Sequence, residues 1–390
     1  MHDYSVVFLE DKFFKQPKLG ESSFLSFPRG KSQRYLFVLQ LNGATCTRTQ
    51  FEKTMLEYYG SDFHCRIPDD ILQDIRENRC KLVFDYSSET NDALVPSQII
   101  VELIQNTARR YSLTKNDIML CTGNFKSAKH HDDFFISISN FYFNTIQVDD
   151  SLIDQQRNLI ANKTPRTNKC LCLMRKPRTH RVSFAQALYK NNLLDNNIVT
   201  LGSFETHEKI FNKDVNFIDT LKSIYDSNFI KSLPWTADVD HLPVVNALMN
   251  TDKEKQLYLD STINFIVEST VDFSGIEIDL TEKIIKPIAA MQPFILYGQV
   301  GALAELKHLG YKTFDLWWDE SYDNIPSSKI RMHYVVDLFK YINSLSVEHL
   351  AEMHYAMLPV LEHNLQTYKL QQTAYHDDIY QTLKLMFNDK

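Results

Sequence analysis

The chain has 390 residues, of which only ten are glycine and twelve proline, while 44% are hydrophobic. Glycine this scarce, with no GxGxxG and no GxxxxGK(S/T), excludes the glycine-rich phosphate loops of Rossmann dehydrogenases and P-loop nucleotidases, and the apolar content excludes a disordered chain. The 42 basic and 49 acidic residues leave a net charge of −7, which excludes a protein that coats nucleic acid by bulk charge.

From the amino terminus, MHDYSVVFLEDK lacks a signal-peptide layout, and no apolar run approaches the ~18–20 residues of a membrane span, so a cytoplasmic location is expected. Short β-like runs then alternate with longer helical ones, the pattern of an α/β protein with parallel sheets. Strands are expected at 35–41 (YLFVLQL), 81–85, 117–121, 134–139, 169–174 and 293–297, and helices at 69–78, 97–111 and 181–194. The polar, proline-containing segment 162–168 (NKTPRTN) separates two α/β units. It sets expected domains of 1–164, 165–345 and a helical 346–390 that braces both. In the last, Leu350, Met353, Met357, Leu361 and Leu365 mark one apolar helix face, with Pro359 as the expected kink or break.

Several polar groups have a structural explanation at hand. The cysteines (Cys46, Cys65, Cys80, Cys121, Cys170 and Cys172) form no CxxC pair and read as buried thiols in a reducing compartment. Neighbours in the run His130-His131-Asp132-Asp133 point to opposite faces of an extended segment, which favours a solvated loop over a metal cluster. The aromatic run 134–143 (FFISISNFYF) reads as core.

Two stretches carry chemistry. The run 166–181, RTNKCLCLMRKPRTHR, holds Arg166, Lys169, Arg175, Lys176, Arg178 and Arg181 and no acid. The last four fall where an apolar strand ends and a helix begins, and in open α/β sheets ligands sit beyond strand carboxyl ends, where helix N-termini favour anions. A diphosphate suits that position; a solvated basic turn is the plain alternative. The second stretch is 268–323. Thr281 caps a helix whose first turn holds Glu282 and Lys283 and which Pro287 interrupts. The strand PFILY ends at Gly298, and Gly301 precedes a second helix. A glutamate accepts hydrogen bonds from ribose hydroxyls and a lysine neutralises phosphate, so the pair suits a sugar nucleotide as well as a solvated helix face.

The pattern Thr-Glu-Lys-x-x-Lys-Pro-Ile-x-x-x-Gln-Pro-Phe-Ile, followed by Gly-x-x-Gly-x-Leu, Leu-Gly-Tyr-Lys-Thr-Phe and Asp-Glu-Ser-Tyr-Asp, resembles a family of glycosyltransferases common in phages, large viruses and some bacteria. The carboxy-terminal half of that family is similar to the α1,3-fucosyltransferase and exostosin-type donor domain. The match covers residues 263–325. It is weaker over 170–203, where MRKPRTHR resembles Asn-Arg-x-x-Arg-x-His-Arg with Met174 in place of asparagine, and faint in the amino-terminal half, at LVFDYSSE and CTGN.

The resemblance implies a GT-B-like fold, two Rossmann-like domains facing a cleft, that moves a sugar from a nucleoside-diphosphate sugar to an acceptor hydroxyl. Glu268, Thr281, Glu282 and Lys283 match the donor helix and the glutamate before it. Arg175, Arg178 and Arg181 match the phosphate-side turn, and Gly298 and Gly301 flank the donor loop. The acceptor is expected to be a glycan or a hydroxymethylated base in DNA, and the location the host cytoplasm for a viral protein. In the amino-terminal domain Glu89, then Asp85, are the expected catalytic bases, since both follow a strand's carboxyl end. No metal and no cofactor beyond the donor are expected, because cations and helix N-termini supply the charge that a leaving diphosphate needs. The run 319–323 (DESYD) is accordingly read as structural or sugar-side, and Trp317 or Trp318 as a candidate lining of the sugar pocket. A non-catalytic nucleotide- or glycan-binding module and a sugar-nucleotide epimerase are the alternatives.

Overall fold

The computed structural model describes residues 4–9, 34–40, 64–65, 67–86, 97–122, 131–138, 146, 148–202, 204, 223–236, 251–272, 278 and 280–387. Chain contacts divide it into one unit of Met1–Asn144, Gly275–Glu277 and Gln371–Lys390, and a second of Thr145–Ser274 and Ile278–Leu370. Both are α/β with parallel sheets, the class expected.

The first unit holds β1 (Tyr4–Leu9), β2 (Arg34–Gln40), β3 (Cys80–Tyr86), β4 (Ile118–Thr122) and β5 (Phe135–Ile138), paired in that order and all parallel. Right-handed crossovers that always step the same way place their helices on one face. Helices α1 (Asp69–Arg76) and α2 (Ser97–Tyr111) meet that requirement: Ile71, Ile75, Leu103 and Ile104 pack on Phe37, Leu82 and Phe84. Strand alternation turns Leu36, Val83 and Met119 to the other face, against Leu383, Met386 and Phe387 near the carboxyl end of the chain. Lys81 is buried there, 3.4 Å from the Asp117 carboxylate and with its ammonium 5.0 Å from the Phe387 ring centre.

The second unit begins earlier than the polar segment suggests. Helix α3 (Asp150–Ala161) belongs to it, because its buried side carries Leu152, Ile153, Gln156 and Ile160. Gln156 donates to the Tyr258 carbonyl at 3.0 Å and accepts from the buried Arg166 at 2.9 Å. The segment 162–168 is therefore a turn between α3 and the next strand, not a domain boundary.

The sheet that follows consists of β6 (Asn168–Leu173), β7 (Asn197–Thr200), β8 (Ser261–Val267) and β9 (Phe294–Tyr297), ordered β7-β6-β8-β9 and parallel throughout. Helix α4 (Thr179–Lys190) follows β6, and α5 (Ser227–Lys231) and α6 (Asp252–Leu259) precede β8. Helix α7 (Glu282–Ala289) joins β8 to β9, and α8 (Ala302–His308) and α9 (Ser328–Ser344) follow. The chain leaves β6 toward β7 and later returns to pair β8 on the other side, so the winding direction reverses between β6 and β8. Such a reversal opens a crevice at the carboxyl ends of the two strands.

Helix α10 (Val347–Met386) passes Pro359 without interruption. Leu350, Met357, Leu361 and Leu365 are buried along one side, whereas Pro359 and Tyr355, whose carbonyl loses its helical donor, lie on the exposed side. Residues through Leu370 belong to the second unit and those from Gln371 to the first. Among the described residues no helix is long and apolar enough to cross a membrane.

Candidate functional site

The reversal between β6 and β8 gathers most of the residues expected to bind a donor. Beyond β6, Met174 extends the pairing by donating its N–H to the Thr200 carbonyl at 3.2 Å and hydroxyl at 3.0 Å. The turn 175–178 then enters α4. Gly202 donates its N–H to the Arg175 carbonyl at 3.1 Å, and a Cβ on Gly202 would lie 2.4 Å from that oxygen, so the approach admits only glycine. Helix α4 is N-capped by Arg178, a donor-only side chain that makes no cap hydrogen bond, so among the described residues its positive end carries no side-chain cap.

Three side chains at the start of α4 grip the end of β8. The Arg178 guanidinium donates to the Ser269 carbonyl, Arg181 Nη2 to the Val267 carbonyl at 3.1 Å, and His180 Nε2 to the Glu268 carbonyl at 2.9 Å. A carbonyl only accepts, so the His180 proton sits on Nε2. Burial, together with the neighbouring Arg181, lowers the His180 pKa to about 4, and the ring is neutral at pH 7. Arg181 is 3% exposed, its Nε has no partner, and burial beside Arg178 lowers its pKa to about 10. Lys176 is pushed down to about 8, first by burial and then by Arg178, Arg181, Lys283 and Arg175. Underneath, burial pushes the Cys172 thiol up to about 12, so it is a neutral core group, as the sequence suggests.

The facing wall is the start of α7. Glu268 is wholly buried: its carboxylate accepts from the Thr281 N–H at 3.2 Å, the Thr281 hydroxyl at 2.7 Å and the Ser269 N–H at 3.1 Å. Glu268 thus fixes Thr281 at the start of α7 and presents no free edge to a ligand. Lys283 stands 3.8 Å from Glu268, donates to the Thr281 hydroxyl at 3.0 Å and pairs with Glu282 at 2.8 Å. Burial alone would raise the Glu282 pKa, but the Lys283 charge and hydrogen bond, with Lys286 nearby, hold it at about 2. Arg175, Lys176, Arg178, Arg181 and Lys283 thus share one region, and among the described residues the acids whose charge reaches it are Glu268 and Glu282, with Asp272 acting on His180. Like charges held together in low dielectric disfavour one another, and an anion relieves that cost.

The remaining expected residues fall elsewhere. Gly298 is buried at the end of β9, and Gly301, at φ +80°, is the N-cap of α8. The acceptor that fills the α8 end is the chain's own Asp323, which takes the Leu303 N–H at 3.0 Å and the Ala304 N–H at 3.1 Å. In the same run Asp319 caps Ser321, and Glu320 accepts from the Thr313 hydroxyl at 2.5 Å and the Phe314 N–H at 2.9 Å. Its acids are therefore occupied within the fold, and Trp318 is buried against Phe314. Asp85 lies on β3, paired in register with Gln40 and Cys121, while Glu89 lies outside the described residues. His131 stacks on Phe134 and accepts the Asp133 N–H at 3.2 Å.

In the sequence Lys176 stands out only as part of the basic run, and neither His180 nor Gly202 stands out on its own. For His180 the signal was its place in MRKPRTHR; for Gly202 there was none, since the need for glycine comes from a carbonyl 27 positions away. No family model matches the chain, and no curated protein matches it.

Proposed function

We propose that the chain is a glycosyltransferase that moves a sugar from a nucleoside-diphosphate sugar to an acceptor hydroxyl. The observation that carries this reading is the excess of buried and half-buried cations at an uncapped helix N-terminus, placed at the switch point of a parallel sheet. A leaving diphosphate gains negative charge as the glycosidic bond breaks, and fixed cations in a desolvated crevice stabilise that charge without reorganising. In this reading Arg175, Lys176, Arg178 and Lys283 face the diphosphate, Arg181 supports them from below, and Glu282 accepts from the ribose. Glu268 and Thr281 hold the start of α7 in place. The two units take the GT-B roles of acceptor and donor domains, and Asp85 or Glu89 supplies the base from the first. The acceptor is a glycan or a hydroxymethylated DNA base.

The test is a thermal-shift screen against nucleoside diphosphates and their sugars, followed by mass spectrometry of sugar transfer with the hits. A ligand specific to the folded chain raises its melting temperature by mass action. Loss of neither donor affinity nor transfer on Lys283→Ala and Arg178→Ala would remove the assignment. The first sheet, whose strand order β1 to β5 contains no reversal, favours one rival, a nucleotide-binding module without transfer. That module would bind the donor and leave it intact with every acceptor class.

A further inference from the structure

Glu254 lies on α6, outside the crevice, yet it is tied to the donor helix. It is 1% exposed, and its Oε1 accepts from Lys286 Nζ at 3.1 Å while its Oε2 has no partner. Lys286 follows Glu282 by four positions on α7, with the acid on the N-terminal side, the spacing and order in which such a pair attracts best. That pairing is not made: Glu282 binds Lys283 at 2.8 Å, and Lys286 turns to Glu254. A buried carboxylate without a cation is strongly destabilising, so Glu254 outcompetes the more exposed Glu282 for Lys286. Tyr258, also buried, senses the charge of both acids, which places the two in one low-dielectric neighbourhood.

We propose that Glu254 is a positioning residue that keeps Lys286 off Glu282, so that Glu282 retains carboxylate capacity for the hydroxyls of a donor ribose. This rests on the reading of Glu282 as the ribose acceptor. When Glu254 loses its charge, Lys286 swings to its i−4 neighbour, and Glu282 then carries two cations in place of one. A ribose hydroxyl must compete with both, while the diphosphate, held by the arginines and Lys283, meets an unchanged set of cations.

Calorimetric titrations of the 390-residue chain with a nucleoside diphosphate and with inorganic pyrophosphate separate the two halves of the ligand. Glu254→Gln is expected to weaken the nucleoside diphosphate about tenfold, the worth of one charge-assisted hydrogen bond, and to leave pyrophosphate within about twofold. Glu254→Gln with Lys286→Met removes the competing cation and restores the nucleoside diphosphate to within about twofold of wild type. Glu254→Asp keeps the charge but shortens the reach to Lys286, and serves if Glu254→Gln does not fold; it gives the same selective loss at about threefold. A purely structural role would lower the melting temperature and move both ligands together, or neither, and either result overturns the proposal, as does a double variant that fails to restore binding. Tight nucleoside-diphosphate binding by the wild type with no selective loss sinks the role of Glu254 alone. Wild-type binding of neither probe sinks the reading of the crevice as well.

Discussion

Two buried arginines stand at opposite ends of the four-stranded sheet. Arg166 precedes β6 and Arg181 follows it; they are 5% and 3% exposed, and burial lowers both to a pKa of about 10. Their surroundings differ. Arg166 donates to the Leu259 carbonyl and to Gln156, and the network continues through Gln292, which bonds the Tyr258 and Ser261 carbonyls and Asn264. Arg181 has one bonded carbonyl, an Nε without a partner and other cations around it. A polar network that closes on itself specifies the fold, whereas a cation cluster left open at a strand's carboxyl end is suited to a ligand.

The contrast predicts a double dissociation. Arg178→Ala is expected to weaken donor binding about 100-fold with a small change in melting temperature, because it removes a charge-assisted phosphate contact from a desolvated site. Lys283→Ala is expected to weaken it as much and also to lower stability, because it takes the cation from Glu268 and Glu282. Arg166→Met is expected to cost about 3 kcal/mol of stability, by leaving the Gln156 oxygen and the Leu259 carbonyl buried without a donor, and to leave donor affinity unchanged. Denaturant unfolding and calorimetry on the three variants decide it; a common loss of affinity in all three would erase the distinction. Gly202→Ala joins the two effects. Its Cβ would lie 2.4 Å from the Arg175 carbonyl, so β7 must move away from the turn, at about 2 kcal/mol of stability with a parallel loss of affinity.

A smaller effect comes from Lys176. With a pKa near 8 in the free protein against 10.5 ordinarily, it loses its proton within reach of neutral pH. Diphosphate binding is therefore expected to weaken above pH 8, by up to about tenfold per unit for one proton taken up on binding. Lys176→Arg, whose charge persists, flattens the profile. The stability of the free protein is expected to have the opposite slope. Between about pH 8 and 10.5 the unfolded chain binds more protons at this residue than the folded one, so Lys176 adds stability as pH rises. His180 acts on the acid side: folded at about 4 against 6.5 unfolded, it removes stability as pH falls between those values. Affinity and stability profiles measured on the same samples resolve the two; a binding profile that stays flat from pH 7 to 9.5 would take Lys176 out of the cluster.

The α/β class and the basic turn were legible because each is written locally. Apolar runs alternating with helical ones gave the strands at β2 to β6 and β9, and cations after an apolar strand marked the crevice. What sequence missed depends on distant partners. Strand β8 was not read because Asn264 interrupts its apolar run; the structure buries that side chain against Gln292. Helix α3 was assigned to the wrong unit because Asn162–Lys163 and Pro165 look like a linker, while the buried Gln156 that fastens the helix looks like a surface residue. Glu268 enters the expected site through the resemblance alone, and nothing local in the sequence tells that Thr281 and Ser269 occupy its carboxylate.

The smallest effect concerns the other loop that drew attention in the sequence. Gly298 and Gly301 lie where glycine-poor sequence suddenly concentrates glycine, and the sequence pattern raised the expectation of a donor beside them. Yet the α8 end beyond Gly301 is closed by Asp323, through two side-chain hydrogen bonds and a third from the Gly301 N–H to its carbonyl at 2.8 Å. A carboxylate that already satisfies those amides leaves them no need of a phosphate, so this turn is explained by the scaffold alone. Asp323→Ala is accordingly expected to lower stability by about 1 kcal/mol, the value of an N-cap side chain, and to leave donor affinity where it was. Should affinity instead fall as steeply as in Arg178→Ala, the Gly298–Gly301 turn would be a working part of the crevice, and the contrast between open and closed ends of this sheet would have to be redrawn with β9 on the open side.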